Sequence, residues 1–167
     1  RRLIVGDTVI LMSSVSPGHF FLAVDRYGVD GSRVSPYMLG LLADDAPGDG
    51  LRCPGLEITV TGGALPAALR ERAASRVTDR LMVSYGSTET GTLAIAAASV
   101  RAERPEAAGR LLPWVEAQAV DDGDRPLPAG EQGRLRFRGP EVAQAYVGDE
   151  EANARAFRDG WFYPGDL

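Results

Sequence analysis

The sequence predicts an α/β fold, with a largely parallel sheet covered by helices, followed by a smaller β-rich subdomain. Two features predict it. Up to about residue 105, apolar runs of strand length alternate with segments of helical period through short links, the pattern of parallel strands and crossover helices. Beyond that point short apolar runs flank a long turn-forming stretch, Asp121 to Gly130. The boundary between the subdomains is placed near residues 101–108, giving an α/β part over 1–105 and a β-rich part over 106–167.

At 167 residues, 44% hydrophobic and 25% charged, the chain has the composition of a soluble globular domain with one sizeable core. A net charge of −5, with no arginine cluster free of acidic neighbours, argues against nucleic acid as a partner. No apolar run approaches the ~20 residues of a membrane span, and a cytoplasmic location is expected. One cysteine and one histidine exclude an internal disulfide and a His/Cys zinc site. All 18 basic residues are arginine, so a mechanism that needs a lysine ammonium is incomplete in this chain. With an opening at Arg1 and an end directly after Gly165-Asp166, this leads to the expectation that the chain is a piece of a longer protein.

Leu3-Ile4-Val5 and Gly6-Asp7 read as an opening turn, and Thr8 to Met12 as a buried strand. Ser16-Pro17 starts a helix to about Tyr27, with Phe20, Phe21, Val24 and Tyr27 on one face and Gly28 as its cap. A weak strand over Val29 to Val34 precedes a second helix, opened by Ser35-Pro36 and reaching about Ala43. The stretch from Asp44 to Pro54, rich in proline, glycine and acids, is a loop. Leu56 to Thr61 alternates apolar and polar residues and is the clearest strand. Gly62-Gly63 then leads through Pro66 into a helix over Ala67 to about Val77. Strands follow at Leu81 to Ser84, Thr92 to Ala97, Leu112 to Val120 and Gly133 to Phe137. A short helix from Asp149 or Glu150 to Phe157 precedes a turn at Asp159-Gly160.

The stretch that carries chemistry is Ser84-Tyr85-Gly86-Ser87-Thr88-Glu89-Thr90-Gly91. Hydroxyls hydrogen-bond phosphate oxygens, a carboxylate holds Mg²⁺, and Tyr85 offers a face to a flat base. By itself the stretch reads equally well as a polar turn between strand and helix. Gly62-Gly63, one helix and one strand earlier, belongs at the same edge of a parallel sheet, where such sheets bind ligands. His19 lies far from these motifs and reads as a capping or surface residue; Cys53 lacks an orienting partner for nucleophilic work. Gly86-Ser87-Thr88-Glu89 is not a nucleophile elbow, and Asp121-Asp122-Gly123-Asp124 misses calcium-loop spacing.

Three motifs in order resemble the adenylate-forming family of acyl-CoA synthetases, aryl-CoA ligases, firefly-type luciferases and peptide-synthetase adenylation domains. They are Val60 to Pro66, Ser84 to Gly91, and Gly133 to Gly139 continuing through Gly160-Trp161-Phe162-Tyr163-Pro164-Gly165-Asp166-Leu167. Gly109-Arg110 and Glu141 to Tyr146 agree as intermediate landmarks. The resemblance covers essentially the whole chain, as the second half of the family's large N-terminal domain. It implies an enzyme of fatty or aryl acid metabolism that makes an acyl-adenylate from a carboxylic acid and ATP, then an acyl-CoA thioester. ATP, Mg²⁺ and coenzyme A are the cofactors implied.

The same resemblance assigns residues. Gly63, Ala64 and Leu65 match backbone positions lining the adenine and acyl pocket, and Ser84, Tyr85 and Gly86 belong to the nucleotide site, with Tyr85 against adenine. Thr88 matches the hydroxyl on the α-phosphate, Glu89 the Mg²⁺ carboxylate, and Asp166 the acid on the ribose hydroxyls. Thr88 and Glu89 are therefore the expected catalytic residues. The family's lysine-bearing phosphate loop and its C-terminal lid are not in this sequence, so the chain alone is expected to be inactive, with those missing parts as its partners. Apolar surface left by their absence is expected to invite self-association. Pro164 stands where the family usually has threonine. Ser87, where peptide-synthetase domains usually have proline, leans the reading toward a CoA ligase. The alternatives are a non-catalytic adenylate-binding or structural fragment and an adenylation domain that loads a carrier protein.

Overall fold

The computed structural model describes residues 6–12, 14, 16–97, 104 and 107–167. Two compact units divide between Val83 and Ser84, and each has its own core. The boundary expected near 101–108, like the opening turn at Leu3 to Val5, falls largely outside the described residues.

The first unit begins with α1 (Pro17–Tyr27) and continues through β1 (Gly31–Val34), α2 (Pro36–Asp45), β2 (Glu57–Val60) and α3 (Ala67–Arg76) into β3 (Leu81–Ser87). Both serine–proline pairs start helices as expected. The Ser16 and Ser35 hydroxyls accept from the backbone N–H of His19 and Met38, and each proline occupies the first turn, where its missing N–H costs nothing. Gly28 ends α1 in the left-handed conformation, at φ 61°. β1, β2 and β3 pair in parallel, with Val34 opposite Val60 and Val60 opposite Val83. Leu39 and Leu42 of α2, Ala73 of α3, Val77 directly after it, and Ile58 and Val60 of β2 are all fully buried and make up the core of this unit. Thr78 is buried too, but satisfied: its hydroxyl donates to the Leu56 carbonyl at 2.7 Å and accepts from the Arg80 N–H at 3.1 Å. Cys53 is a buried, free thiol whose burial raises its pKa, and His19 is exposed beside the Ser16 cap.

The buried strand expected at Thr8 to Met12 is not there. The segment is irregular, with Val9 and Leu11 exposed. An apolar run becomes a strand only where a neighbour accepts its backbone bonds, and no described strand pairs with it.

In the second unit β3 runs three residues beyond its expected end at Ser84 and meets β4 (Gly91–Ala96) after the turn Thr88–Thr90. The motif is therefore a link between two neighbouring strands, as the strands expected on either side of it imply, and not the strand-to-helix turn that the stretch taken alone also allowed. The strand expected over Leu112 to Val120 forms only from Glu116 on, as β6 (Glu116–Val120), and before it β5 (Arg110–Leu111), which was not expected, pairs antiparallel to β4. Pro113, which has no N–H to continue a ladder, sits in the intervening turn. β6 and β7 (Arg134–Arg138) pair antiparallel in full register, from Glu116 opposite Arg138 to Val120 opposite Arg134. After α4 (Glu150–Ala156), β8 (Phe157–Arg158) and β9 (Trp161–Phe162) complete a sheet of order β6-β7-β9-β8. The chain is thus a mixed α/β protein with a mostly parallel sheet and a smaller antiparallel one, as the sequence predicts. No helix among the described residues is long and apolar enough to cross a membrane.

Candidate active site

The end of β3 and the turn after it are pinned by one side chain. Thr90 is buried, and its hydroxyl accepts from the Ser87 N–H at 2.9 Å while donating to the Gly91 carbonyl at 3.1 Å. Gly86 is obligatory for this packing: a Cβ there would lie 1.9 Å from the Gly91 carbonyl oxygen. The turn leaves Thr88 exposed and Glu89 partly so. Ser84, by contrast, is buried within β3.

Glu89 is held from several sides. Its backbone carbonyl accepts from the Ala143 N–H at 2.6 Å, and its Oε1 accepts from the Tyr146 phenol at 2.9 Å. A hydrogen bond from the Ser87 side chain, its own backbone N–H and the Tyr146 phenol, in that order, keep the carboxyl below the usual glutamate range. Tyr146 is clamped in turn. Asn153 of α4 accepts from the Tyr146 N–H at 2.6 Å and donates to its carbonyl at 2.9 Å, and the ring meets Phe157 edge-on at 5.2 Å. The sequence reading passed over this tyrosine as a landmark and did not consider Asn153.

Tyr85 and Asp166, 81 positions apart, are joined by a hydrogen bond from the phenol to Oδ2. Tyr85 is half-buried, with its ring 5.8 Å from that of Phe137 on β7. Burial first, then the Asp166 carboxylate, raise its phenolic pKa. The Asp166 backbone is tied to β7 as well, through its carbonyl and the Leu135 N–H at 2.9 Å. A cavity of about 470 Å³ in this unit is lined by Ser87, Glu89, Tyr146, Arg158, Tyr163 and Gly165 among others. Pro164 also lines it.

Of the expected residues, the second unit therefore brings together Tyr85 with Asp166 and places Thr88 and Glu89 on one short turn. Gly63, Ala64 and Leu65 belong to the first unit, in the turn after β2. Gly62 there has φ 80°, and Gly63 faces Pro36 at the start of α2. Leu65 is buried.

A family model described as AMP-binding enzyme matches residues 2–147. The chain belongs to the AMP-binding enzyme family. A feruloyl-CoA synthase of Amycolatopsis sp is 34% identical over 99% of this family member and 34% of its own length. Luciferin 4-monooxygenase of Photinus pyralis is 31% identical over 99% of the chain and 30% of its own length. The chain thus spans about a third of the curated relatives it matches. Among solved structures, O-succinylbenzoate coenzyme A synthetase of Bacillus subtilis, in complex with ATP and magnesium ion, is 26% identical with a TM-score of 0.84. That match covers 98% of this chain and 34% of that one. The amide bond synthetase McbA of Marinactinospora thermotolerans matches at 27% identity and TM-score 0.84, over 98% and 34%.

Proposed function

We propose that this AMP-binding family chain is the nucleotide- and acyl-binding part of an ATP-dependent acid–thiol ligase. The observation that carries the reading is the meeting of Tyr85 and Asp166 across 81 positions, on the strand that leads into the turn bearing Glu89. A ring for a base and a two-oxygen acceptor for a ribose diol belong on one nucleoside. In this reading a substrate carboxylate oxygen attacks the α-phosphorus of ATP. A C–O–P linkage forms, the bond between the α-phosphorus and the bridging oxygen breaks, and pyrophosphate leaves. A thiolate then attacks the acyl carbon and AMP departs.

Within that reaction Tyr85 packs against adenine, Asp166 accepts from the ribose hydroxyls, and Thr88 donates to an α-phosphate oxygen. The backbone of Gly63, Ala64 and Leu65 lines the adenine and acyl pocket, and Ser84 and Gly86 set the course of β3. Among the described residues no three His, Cys, Asp or Glu side chains form a metal cage. Glu89 nevertheless suits Mg²⁺, which takes one or two protein carboxylates and completes its shell with phosphate oxygens and water. Bound there, the ion would offset charge on the phosphoryl oxygens. Coenzyme A, grouped above with the cofactors, belongs with the substrates, because it leaves carrying the acyl group. Ser87, where peptide-synthetase domains usually have proline, supports coenzyme A as acceptor over a carrier protein, and its N–H bonds Thr90 at 2.9 Å, which proline could not do.

The test is carboxylate-dependent ATP–pyrophosphate exchange by the intact enzyme that contains these residues. Glu89→Ala and Asp166→Ala should each slow exchange by about a hundredfold, the usual scale for removing a group that stabilises charge in the transition state. Exchange at the parent rate by both variants would remove the assignment.

A further inference from the structure

Glu89 sits at the middle of a three-residue turn that Thr90 pins at one end, and its carboxylate must meet a phosphate-bound ion with fixed geometry. Besides the Ser87 side chain and its own backbone N–H, which are local, the Glu89 carboxylate is held by Tyr146, 57 positions away. That phenol reaches Oε1 at 2.9 Å, and both residues line the same cavity. Tyr146 has little freedom of its own, because Asn153 bonds both its N–H and its carbonyl and Phe157 packs on its ring. Asn153 is placed by α4, whose first turn Asp149 caps through the Ala152 N–H at 2.9 Å.

We propose that Tyr146 is a positioning residue for Glu89: its phenol fixes one carboxylate oxygen, and Asn153 fixes Tyr146. The inference deepens the ligase reading and rests on it. With Oε1 held by a distant donor, the direction of the carboxylate would be fixed before a cation arrives, and Mg²⁺ bound there would complete its shell with phosphate oxygens and water. Partners that orient a metal's carboxylate are worth about ten- to a hundredfold in metal affinity.

The experiment compares Tyr146→Phe with the parent, in the intact enzyme, for binding of ATP at graded Mg²⁺ and of AMP without metal. Phenylalanine keeps the backbone clamp and the ring contact and removes only the hydroxyl. The expected result is an approximately tenfold rise in the Mg²⁺ concentration needed for ATP binding, with AMP affinity unchanged. Asn153→Ala should shift the same quantity in the same direction. In a Glu89→Gln background, Tyr146→Phe should add no further shift, because the pair acts as a unit. Unchanged Mg²⁺ dependence, or an equal loss of AMP affinity, overturns the positioning role alone. A parent enzyme whose ATP binding ignores Mg²⁺ overturns the ligase reading and this inference together.

Discussion

Tyr85 keeps its phenolic proton well past the ordinary tyrosine range, because burial and the Asp166 carboxylate both disfavour the phenolate. The sign for stability follows. Below the ordinary phenol value the neutral form is common to the folded and unfolded chains, and the contribution is whole. As pH rises past that value the unfolded chain gives up the proton first, so stability falls. The Tyr146 phenolic pKa is raised as well, first by its hydrogen bond to Glu89, so a spectrophotometric titration should show two late steps among the five tyrosines, one of them from Tyr85. Asp166→Ala should bring the Tyr85 step to lower pH. Two late steps that both ignore Asp166→Ala would place the carboxylate out of contact with the phenol. The residue types at Tyr85, Thr88, Glu89 and Asp166 were legible because their chemistry is explicit in the side chain. Tyr146 was not, because a tyrosine 57 positions from Glu89 acquires meaning only from the hydrogen bond that folding creates.

At the scale of elements, helix starts were the most legible feature, since Ser16-Pro17 and Ser35-Pro36 carry local cap chemistry. Strand ends were less so. Thr8 to Met12 has strand composition without a described partner, and β3 continues through Tyr85-Gly86-Ser87, residues with no apolar alternation. What permits the extension is close backbone packing at Gly86. Gly86→Ala should therefore destabilise the second unit by about 3 kcal/mol, the upper part of the range for overpacking. Gly18→Ala serves as the contrast. It lies in α1 with nothing within 4 Å of an added Cβ. Exchanging a helical glycine for alanine there should stabilise by about 0.5–1 kcal/mol. Urea unfolding of the two variants measures both, and equal midpoints would contradict the packing seen at Gly86.

For the whole molecule, the chain is about a third as long as its relatives and divides into two units, each with its own buried apolar residues. Folding and turnover are different requirements. With no lysine among its 167 residues, the chain on its own should release no pyrophosphate from ATP and a carboxylic acid, because positioning and charge stabilisation supplied by lysines are large terms. Measurable carboxylate-dependent release by purified residues 1–167 would refute this. The sequence by itself determined the family, the α/β class and the residue types available to a nucleotide, because motif chemistry and hydrophobic period are local properties. Only the tertiary structure decided that Tyr85 bonds Asp166 and that Glu89 leans on Tyr146, which Asn153 holds in place. Those are contacts between distant positions, and they exist only once the backbone has closed around them.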